Sequence, residues 1–387
     1  MTTTPVAFAA ALLASFAAPS VRAADDVPPE AVVATLPFLA AEEPNRIVVD
    51  LARDGSTPFR LMLDTGASHS ALTPLAARAA GVTVRALKQT PYRRKTRVGR
   101  DLQFHVDTSS SDTGSRTGWE WGLLGANFLE AYVVELDFTM RTVRLLDPKR
   151  FAVPEAPPEG EQATIPFRGS NRPVIEIAIG DRRVPLTIDT GAPDGVILSG
   201  RAARRAGIDV DALAPFGTAD TVMGPMELRF HEAPELTIGG MRFEHVPIVV
   251  APKGWYGMVG ESDDSIVGYD LLSRFLVRID YPRRRVWLRR ESERTTYQGV
   301  DYALTREAGA FLWTGKDGFG VLAVLPGTPA AQIGLRPGDV VPRRAQAKTP
   351  EAVLLAIRDG RPVTVARDED GVLADVELRP AEAAAAH

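Results

Sequence analysis

A short motif with groups that can take part in chemistry occurs twice in this chain. The sequence reads "LMLDTGASHS" over residues 61–70 and "LTIDTGAPDG" over residues 186–195. In each copy an aspartate, a threonine and a glycine follow the same kind of apolar run. A carboxyl group can give or take a proton during a reaction. Asp64 and Asp189 are therefore the first candidates for a reaction centre.

The motif belongs to a repeat that extends through most of the chain. "ATLPF" returns as "ATIPF", "AARAAGV" as "AARRAGI", and "LLGANFLEAYVVELDFTMRTVRLL" as "IVGYDLLSRFLVRIDYPRRRVWLR". A single Asp-Thr-Gly also fits an ordinary turn, but two copies in matching contexts favour a functional motif. The repeat predicts two duplicated lobes, residues 34–150 and 163–292, joined by a Pro- and Glu-rich linker over residues 151–162.

Each copy reads mostly as strands. "IVVDLARDGSTPFRLML" predicts a hairpin around Asp-Gly, and "VIEIAIGDRRVPLTI" predicts one around Gly-Asp. The second strand of each hairpin brings Asp-Thr-Gly into a turn, where Gly66 or Gly191 is expected to take a positive φ that other residues resist. A short Ala-rich helix and a closing strand pair follow. Each lobe is therefore expected to be a small, mainly antiparallel barrel or sandwich.

The doubled Asp-Thr-Gly-Ala, with an apolar-apolar-Gly strand further on ("GLLGANFL", "SIVGYDLL"), resembles the aspartic proteases, and more closely their retropepsin-like branch. The resemblance covers nearly all of residues 34–292. It implies two closed-barrel lobes that face each other across a cleft, with Asp64 and Asp189 at its floor. Retroviral relatives build this site from two identical chains. Here the duplication would supply both halves, so that a monomer suffices.

The resemblance also implies a mechanism. Two carboxyls within hydrogen-bond distance cannot both ionise readily, and sharing one proton is the established behaviour of aspartic-protease dyads. One ionised oxygen then acts as general base on a water molecule, while the protonated partner donates to the scissile carbonyl. The proton belongs to the pair, so neither Asp64 nor Asp189 has a fixed role. The reaction needs no metal, no organic cofactor and no covalent intermediate.

Neighbouring residues match the family's supporting positions. Thr65 and Thr190 match threonines whose hydroxyls hydrogen-bond across to the opposite lobe. Gly66 and Gly191 match glycines that let backbone amides approach the carboxylates. The apolar strands behind the turns would contain Leu123, Leu124, Gly125, Ile266, Val267 and Gly268.

The two copies also differ from each other. Ser-His follows the first Gly-Ala, whereas Pro193 and Asp194 follow the second, so a missing backbone donor and a third acid are expected near one carboxyl. Relatives cover the cleft with mobile hairpins. The flap candidates here are residues 92–102 and 217–228, although an ordinary surface hairpin explains each stretch equally well.

A third domain follows the repeat, over residues 298–380. "GFGVLAVLPGTPAAQIGLRPGDVV" resembles a bacterial PDZ domain, which implies a small β-barrel or sandwich with helices that binds an extended peptide beside its sheet. "TPEAVLLAIRDG" predicts a helix with a Thr cap and a terminal Gly. A generic small β-rich domain is the alternative. The residues that match the peptide-binding loop and its following strand are Gly318, Phe319, Gly320 and Val321.

Composition excludes several function classes. The chain has 387 residues and a net charge of -4, which argues against a nucleic-acid-binding protein. It has no cysteine, which excludes a thiol nucleophile, cysteine-ligated zinc and disulfides. Its five histidines show no paired metal-ligand spacing, so no metal is expected.

The N-terminal segment differs from the rest of the chain. Residues 1–23 resemble a secretory signal peptide that is cleaved near Ala23. We therefore expect an exported, periplasmic or secreted protein, with a membrane contact only if this segment stays uncleaved.

These observations predict an exported aspartic endopeptidase that acts on proteins or peptides and recruits peptide segments through its PDZ domain. The alternative is a catalytically silent peptide-binding protein on the same scaffold. A phosphotransferase with an aspartate nucleophile is a weaker third idea, because this sequence lacks the arrangement of acidic and lysine motifs that such sites need. Substrate sequence, working pH and oligomeric state are left open.

Overall fold

The computed structural model describes residues 26–39, 45–51, 60–73, 77, 92–95, 101–106, 122–156, 161–169, 171–213, 215–221, 224–251, 265–314, 318–343, 348–369 and 372–380. The predicted signal peptide lies outside these ranges. No helix within them is long and apolar enough to cross a membrane. The chain is mainly β, as predicted.

Lobe 1 is formed by the first copy of the repeat. After a turn of 3-10 helix (Pro29–Ala31), its elements are β1 (Val32–Pro37), β2 (Val48–Asp50), β3 (Arg60–Leu63), β4 (Ser70–Leu72), β5 (Tyr92–Lys95), β6 (Asp101–Val106), β7 (Gly122–Leu124), α1 (Ala126–Leu129), β8 (Val133–Asp137) and β9 (Thr142–Leu146). Six of these strands pair in the order β2-β3-β7-β4-β6-β5. The predicted hairpin is present as the antiparallel pair β2 and β3, and its turn lies outside the described residues. β3 leads directly into Asp64.

Lobe 2 repeats this plan with a longer middle. Its elements are β10 (Gln162–Pro166), β11 (Val174–Ile179), β12 (Arg182–Ile188), β13 (Val196–Ser199), α2 (Gly200–Arg205), β14 (Pro215–Thr221), β15 (Gly224–Ile238), β16 (Met241–Ala251), β17 (Ile266–Val267), α3 (Tyr269–Leu272), β18 (Phe275–Asp280) and β19 (Arg285–Arg290). The order is β11-β12-β17-β13-β16-β15-β14, and β11 also pairs with β15. The hairpin of β11 and β12 turns at Gly180, whose φ is +57°. The closed-barrel form of the two lobes stays a prediction.

Both lobes contribute three strands to one further sheet. Its order is β1-β9-β8-β18-β19-β10, so β8 of lobe 1 and β18 of lobe 2 meet antiparallel at its centre. Glu135 lies opposite Arg278 there, and the two residues occupy equivalent positions in the repeat. The sheet therefore has an approximate two-fold axis between them.

One apolar core runs through both lobes. It contains Leu63 and Leu124 from lobe 1 together with Leu186 and Val267 from lobe 2, all of them fully buried. Leu63 precedes Asp64, and Ile188, in the same core, precedes Asp189. The two aspartates are thus carried at the ends of strands whose side chains are fixed by a shared core.

The C-terminal domain has a core of its own. Its elements are β20 (Thr296–Tyr297), β21 (Val300–Asp301), α4 (Tyr302–Ala308), β22 (Ala310–Thr314), β23 (Gly318–Val324), α5 (Pro329–Gln332), β24 (Val340–Pro342), α6 (Pro350–Arg358), β25 (Val363–Glu369) and β26 (Val372–Leu378). Strands β22 to β26 form one five-stranded sheet in chain order. The predicted helix is confirmed as α6, where the Thr349 hydroxyl accepts from the Ala352 amide at 3.2 Å. Its PDZ identity stays a prediction.

Candidate active site

The two Asp-Thr-Gly turns are held by equivalent strands. β3 lies parallel to β7, and the Asp64 amide donates to the carbonyl of Leu124 at 3.0 Å. β12 lies parallel to β17, and the Asp189 amide donates to the carbonyl of Val267 at 2.9 Å. Both turns therefore leave their sheets at the same point and with the same backbone contacts.

Each carboxylate accepts a backbone hydrogen bond within its own turn. The Ala67 amide donates to Asp64 Oδ1 at 2.8 Å, and the Gly191 amide donates to Asp189 Oδ1 at 2.8 Å. Such bonds favour the ionised form of a carboxyl group. They also fix the direction in which each side chain points.

The prediction of positive φ at Gly66 and Gly191 is wrong, because neither glycine has a left-handed backbone. Glycine is required there for another reason. A Cβ on Gly66 would lie 2.4 Å from Asp189 Cγ, and a Cβ on Gly191 would lie 2.9 Å from Asp64 Cγ. The glycine of each turn thus makes room for the carboxyl group of the other lobe.

The threonines tie the two turns together reciprocally. The Thr65 hydroxyl donates to the carbonyl of Ile188 at 2.7 Å and accepts from the Thr190 amide at 3.1 Å. The Thr190 hydroxyl donates to the carbonyl of Leu63 at 2.7 Å and accepts from the Thr65 amide at 3.2 Å. Both threonines are fully buried. Four hydrogen bonds therefore cross between the lobes directly beneath the aspartates.

Asp64 and Asp189 meet between the turns. A hydrogen bond joins their side chains. Burial raises the pKa of Asp64 well above its usual range, and the charge and hydrogen bond of Asp189 add to this, against the lowering effect of the Ala67 and Gly66 amides. Asp189 is 5% exposed. The pair therefore holds a proton at pH values at which an ordinary carboxyl is ionised.

A family match falls on this site. Residues 175–271 match the family model described as aspartyl protease. The matched segment begins in β11 and ends in α3, so it contains Asp189 and the strands that place it. No curated protein matches the chain.

Two solved structures are similar to parts of the chain. One is a retropepsin-like aspartic protease from Rickettsia conorii, 22% identical, covering 34% of this chain and 100% of that chain with a TM-score of 0.28. The other is an aspartic proteinase from Irpex lacteus, 14% identical, covering 69% of this chain and 98% of that chain with a TM-score of 0.40. Both TM-scores lie below 0.5, so the chemistry proposed below depends on the geometry of the site itself.

The predicted supporting strands lie behind the turns. A Cβ on Gly125 would lie 2.5 Å from the carbonyl oxygen of His69, and a Cβ on Gly268 would lie 2.2 Å from that of Asp194. These glycines let the chain that follows each Asp-Thr-Gly pass close to the strand behind it. Ser68 Oγ lies 3.0 Å from His69 Nδ1 on the surface. Within the described residues, no group of three or more His, Asp or Glu is placed to hold a metal ion.

Sequence reasoning missed a contact from lobe 1 onto the second turn. Asn45 Nδ2 donates to the carbonyl of Pro193 at 3.4 Å, and the Arg46 guanidinium donates to the carbonyl of Gly191. The signal was available, because Asn-Arg precedes the hairpin that carries the aspartate in both copies, at residues 45–46 and 171–172.

The third acid, Asp194, points toward the C-terminal connection. Its Oδ1 accepts from Gln298 Nε2 at 2.6 Å. Burial raises the pKa of Asp194, with the Gln298 hydrogen bond and the charge of Arg46 opposing the shift. The carboxyl of Asp194 is thus bound to the segment that leads into the C-terminal domain.

The remaining predicted residues lie away from the dyad. Both flap candidates contain hairpins, β5 with β6 and β14 with β15, and their tips lie outside the described residues. Gly318, Phe319, Gly320 and Val321 lie in β23 and not in a loop. β23 pairs with β22 on one side and β24 on the other. An added peptide strand needs an unpaired edge, so this position does not favour their predicted role.

Proposed function

We propose that this chain is an aspartic endopeptidase in which Asp64 and Asp189 activate water. The observation that carries the proposal is the hydrogen-bonded carboxyl pair, one from each lobe, with a raised pKa at Asp64. The reciprocal threonine bonds hold both side chains in place. Fixed geometry of this kind is what general acid–base catalysis requires.

The proposed reaction conserves the protons of the pair. The ionised oxygen takes a proton from water as the water oxygen attacks the peptide carbonyl, and the protonated oxygen gives its proton to the carbonyl oxygen. The resulting diol collapses, the C–N bond breaks, and a carboxyl proton passes to the leaving nitrogen. A hydroxyl proton of the diol returns to the carboxyl pair. Neither Asp64 nor Asp189 needs a fixed role.

Replacing either aspartate by asparagine tests the proposal. Asn cannot act as the base, so Asp64→Asn and Asp189→Asn should each lower kcat/KM on a quenched-fluorescent peptide library by about 10²- to 10⁴-fold or more. Asp181→Asn, in the exposed turn between β11 and β12, is the matched control and should leave cleavage unchanged. Circular dichroism verifies folding. Cleavage that survives both dyad changes would exclude this site.

A peptide-binding protein without catalytic activity is the second candidate. The same scaffold could hold a peptide across the two turns without cleaving it. Binding of a statine peptide to the wild-type chain, with no cleavage of any library member from acid to neutral pH, would favour this candidate over the peptidase.

We further propose that the C-terminal domain binds extended peptide segments and that the protein is exported. Support for the first is the resemblance of residues 298–380 to PDZ domains. The peptide would add as a strand at an edge of the five-stranded sheet, beside β22 or β26, and not beside β23. Support for the second is the apolar segment within residues 1–23. A pull-down with C-terminal peptide arrays and N-terminal sequencing of the mature protein test the two proposals.

A further inference from the structure

An apolar cluster joins the C-terminal domain to lobe 2. Phe311 of β22 is fully buried at its centre. Its ring centroid lies 4.7 Å from that of Phe230 in lobe 2, and 5.1 Å from that of Tyr297. Phe311 belongs to this cluster and not to the core of its own domain. It is therefore buried between lobe 2 and the tyrosines Tyr297 and Tyr302 of its own domain.

The covered surface of lobe 2 lies beside Asp189. On β17, Val267 points into the lobe core, whereas Ile266 points to the opposite face and into the shared cluster. On β13, Ile197 faces the same way and lies opposite Ile266. Ala192, the first residue after the Asp-Thr-Gly, belongs to the cluster as well. These side chains thus lie on the turn and on the strands that carry Asp189.

The equivalent surface of lobe 1 is less covered. Ala67 and Ala71 correspond to Ala192 and Ile197, and both are partly exposed. Their lobe 2 counterparts are 7% and 1% exposed. Leu123, the counterpart of Ile266, is 7% exposed, so the difference between the lobes lies at the two alanines.

Charged groups border the cluster. Glu232 of β15 accepts a hydrogen bond from the Tyr302 hydroxyl at 2.8 Å and pairs with Arg306 at 3.1 Å. The side chain of Arg306 is 47% exposed. A polar rim around a buried aromatic centre is the usual anatomy of a separable interface. In addition, β14, an arm of the second flap candidate, lies against β23.

We propose that the docked C-terminal domain inhibits the chain by covering, with Phe311 and its neighbouring tyrosines, the face beside Asp189 that a peptide substrate needs. The inference rests on the proposed peptidase function. The occupant also indicates the ligand chemistry of this face, which accepts an aromatic or large apolar side chain. Activity then requires the domain to move away.

A charge reversal at the rim tests the proposal without touching the buried residues. Arg306→Glu places two like charges together, whereas the matched control Arg306→Lys keeps the positive charge opposite Glu232. Arg306→Glu should raise kcat/KM on the peptide library and tighten binding of a statine peptide by a few-fold to about tenfold, because the open fraction rises. Arg306→Lys should leave both values close to those of the wild type.

A second variant removes the aromatic centre. Phe311→Ala should raise kcat/KM and the affinity for the statine peptide by about tenfold or more. The reason is that only molecules whose C-terminal domain has moved away can bind the peptide. Trp313→Ala is the matched control, because Trp313 lies on the same strand and is 45% exposed. It should change neither value.

The outcomes separate this inference from the proposed function. Tighter statine-peptide binding in the opened variants without cleavage in any protein would support the covering domain and contradict the peptidase. Cleavage at equal rates in wild-type and opened variants, with unchanged statine-peptide affinity, would overturn the inference and leave the peptidase standing. Failure of every variant to bind the statine peptide would also overturn it.

Discussion

A methyl group on Gly66 would collide with the Asp189 carboxyl, 2.4 Å from its Cγ. The backbone of Gly66 itself is compatible with any residue, since its φ is not positive. The requirement for glycine thus comes from the approach of the opposite lobe. It exists only once the two halves are assembled.

Gly66→Ala should therefore separate the two carboxyls while the turn keeps its shape. A displacement of about 1 Å at a reaction centre can cost about 10²-fold in rate, and we expect a loss of at least that size in kcat/KM. The measurement is peptide cleavage, with thermal unfolding followed in parallel.

Gly195→Ala, in the second copy of the motif, provides the control. A Cβ there would meet its nearest neighbour, the Leu271 amide nitrogen, at 3.5 Å, which is ordinary contact. This variant should keep its activity. Equal activity in the Gly66 and Gly195 variants would contradict the role given to Gly66.

Much of the dyad could be predicted from residues alone. The repeated motif identified Asp64, Thr65 and their partners, because each copy of the motif lies at the end of an apolar strand. The reason for the glycine could not be found that way, because a clash with a residue 123 positions distant is a property of the assembled lobes.

At the scale of elements, one buried carboxylate connects lobe 2 to the C-terminal domain. Asp270 on α3 accepts from the Gln298 amide at 2.6 Å and from the Gly299 amide at 3.0 Å. Both turn residues have positive φ, +52° and +78°, as a two-residue turn between β20 and β21 requires. Asn45 Nδ2 of lobe 1 donates to the same carboxylate at 3.0 Å.

Asp270 should make the stability of the protein depend on pH. Burial raises the pKa of Asp270 to about 7, repulsion from Asp194 adds to this, and hydrogen bonds from the turn oppose it. The folded protein thus binds a proton that the unfolded chain releases at lower pH. Its stability should rise as the pH falls from about 7 toward 4, by up to a few kcal/mol from this group.

Asp270→Asn should remove that part of the pH dependence. The equivalent position of lobe 1 is Asn127, so the fold accepts an amide there. The measurement is the urea midpoint between pH 4 and pH 8 for wild type, Asp270→Asn and the surface control Asp211→Asn. Unchanged pH dependence in Asp270→Asn would contradict the assignment. The comparison is between variants because Asp194 and Asp64 also have raised pKa values.

The strands and helices could be predicted where the sequence pattern determines them. The contacts between those elements could not. Hairpins, closing strand pairs and α6 followed from apolar alternation and turn residues. The Gln298–Gly299 turn onto Asp270 joins segments that share no pattern. Asn127 and Asp270 align in the repeat, but the exchange of an amide for a carboxylate does not by itself reveal its partner.

At the scale of the whole molecule, duplication within one chain permits a contact that identical chains could not make. Glu135 and Arg278 lie opposite each other on the approximate two-fold axis, and both side chains are 1% exposed. Arg278 Nε donates to Glu135 Oε2 at 2.8 Å. In a symmetric dimer this position would face its own copy, which would bury two like charges. Fusion of the lobes allows opposite charges there.

The arrangement of the lobes could be anticipated from the repeat, but the position of the C-terminal domain could not. The repeat implies an approximate two-fold relation, and the central sheet has it. Phe311 carries no signal that separates an interface residue from a core residue, because both are apolar positions in a strand.

Cleavage of a peptide library from acid to neutral pH, with and without a statine peptide, tests the central claim most directly. Wild-type protein and the opened Phe311→Ala variant are compared, so that the covering domain cannot conceal activity. We predict cleavage that the statine peptide abolishes, and that declines toward high pH as the pair of Asp64 and Asp189 loses its shared proton. Cleavage that continues undiminished with the statine peptide present would contradict the account.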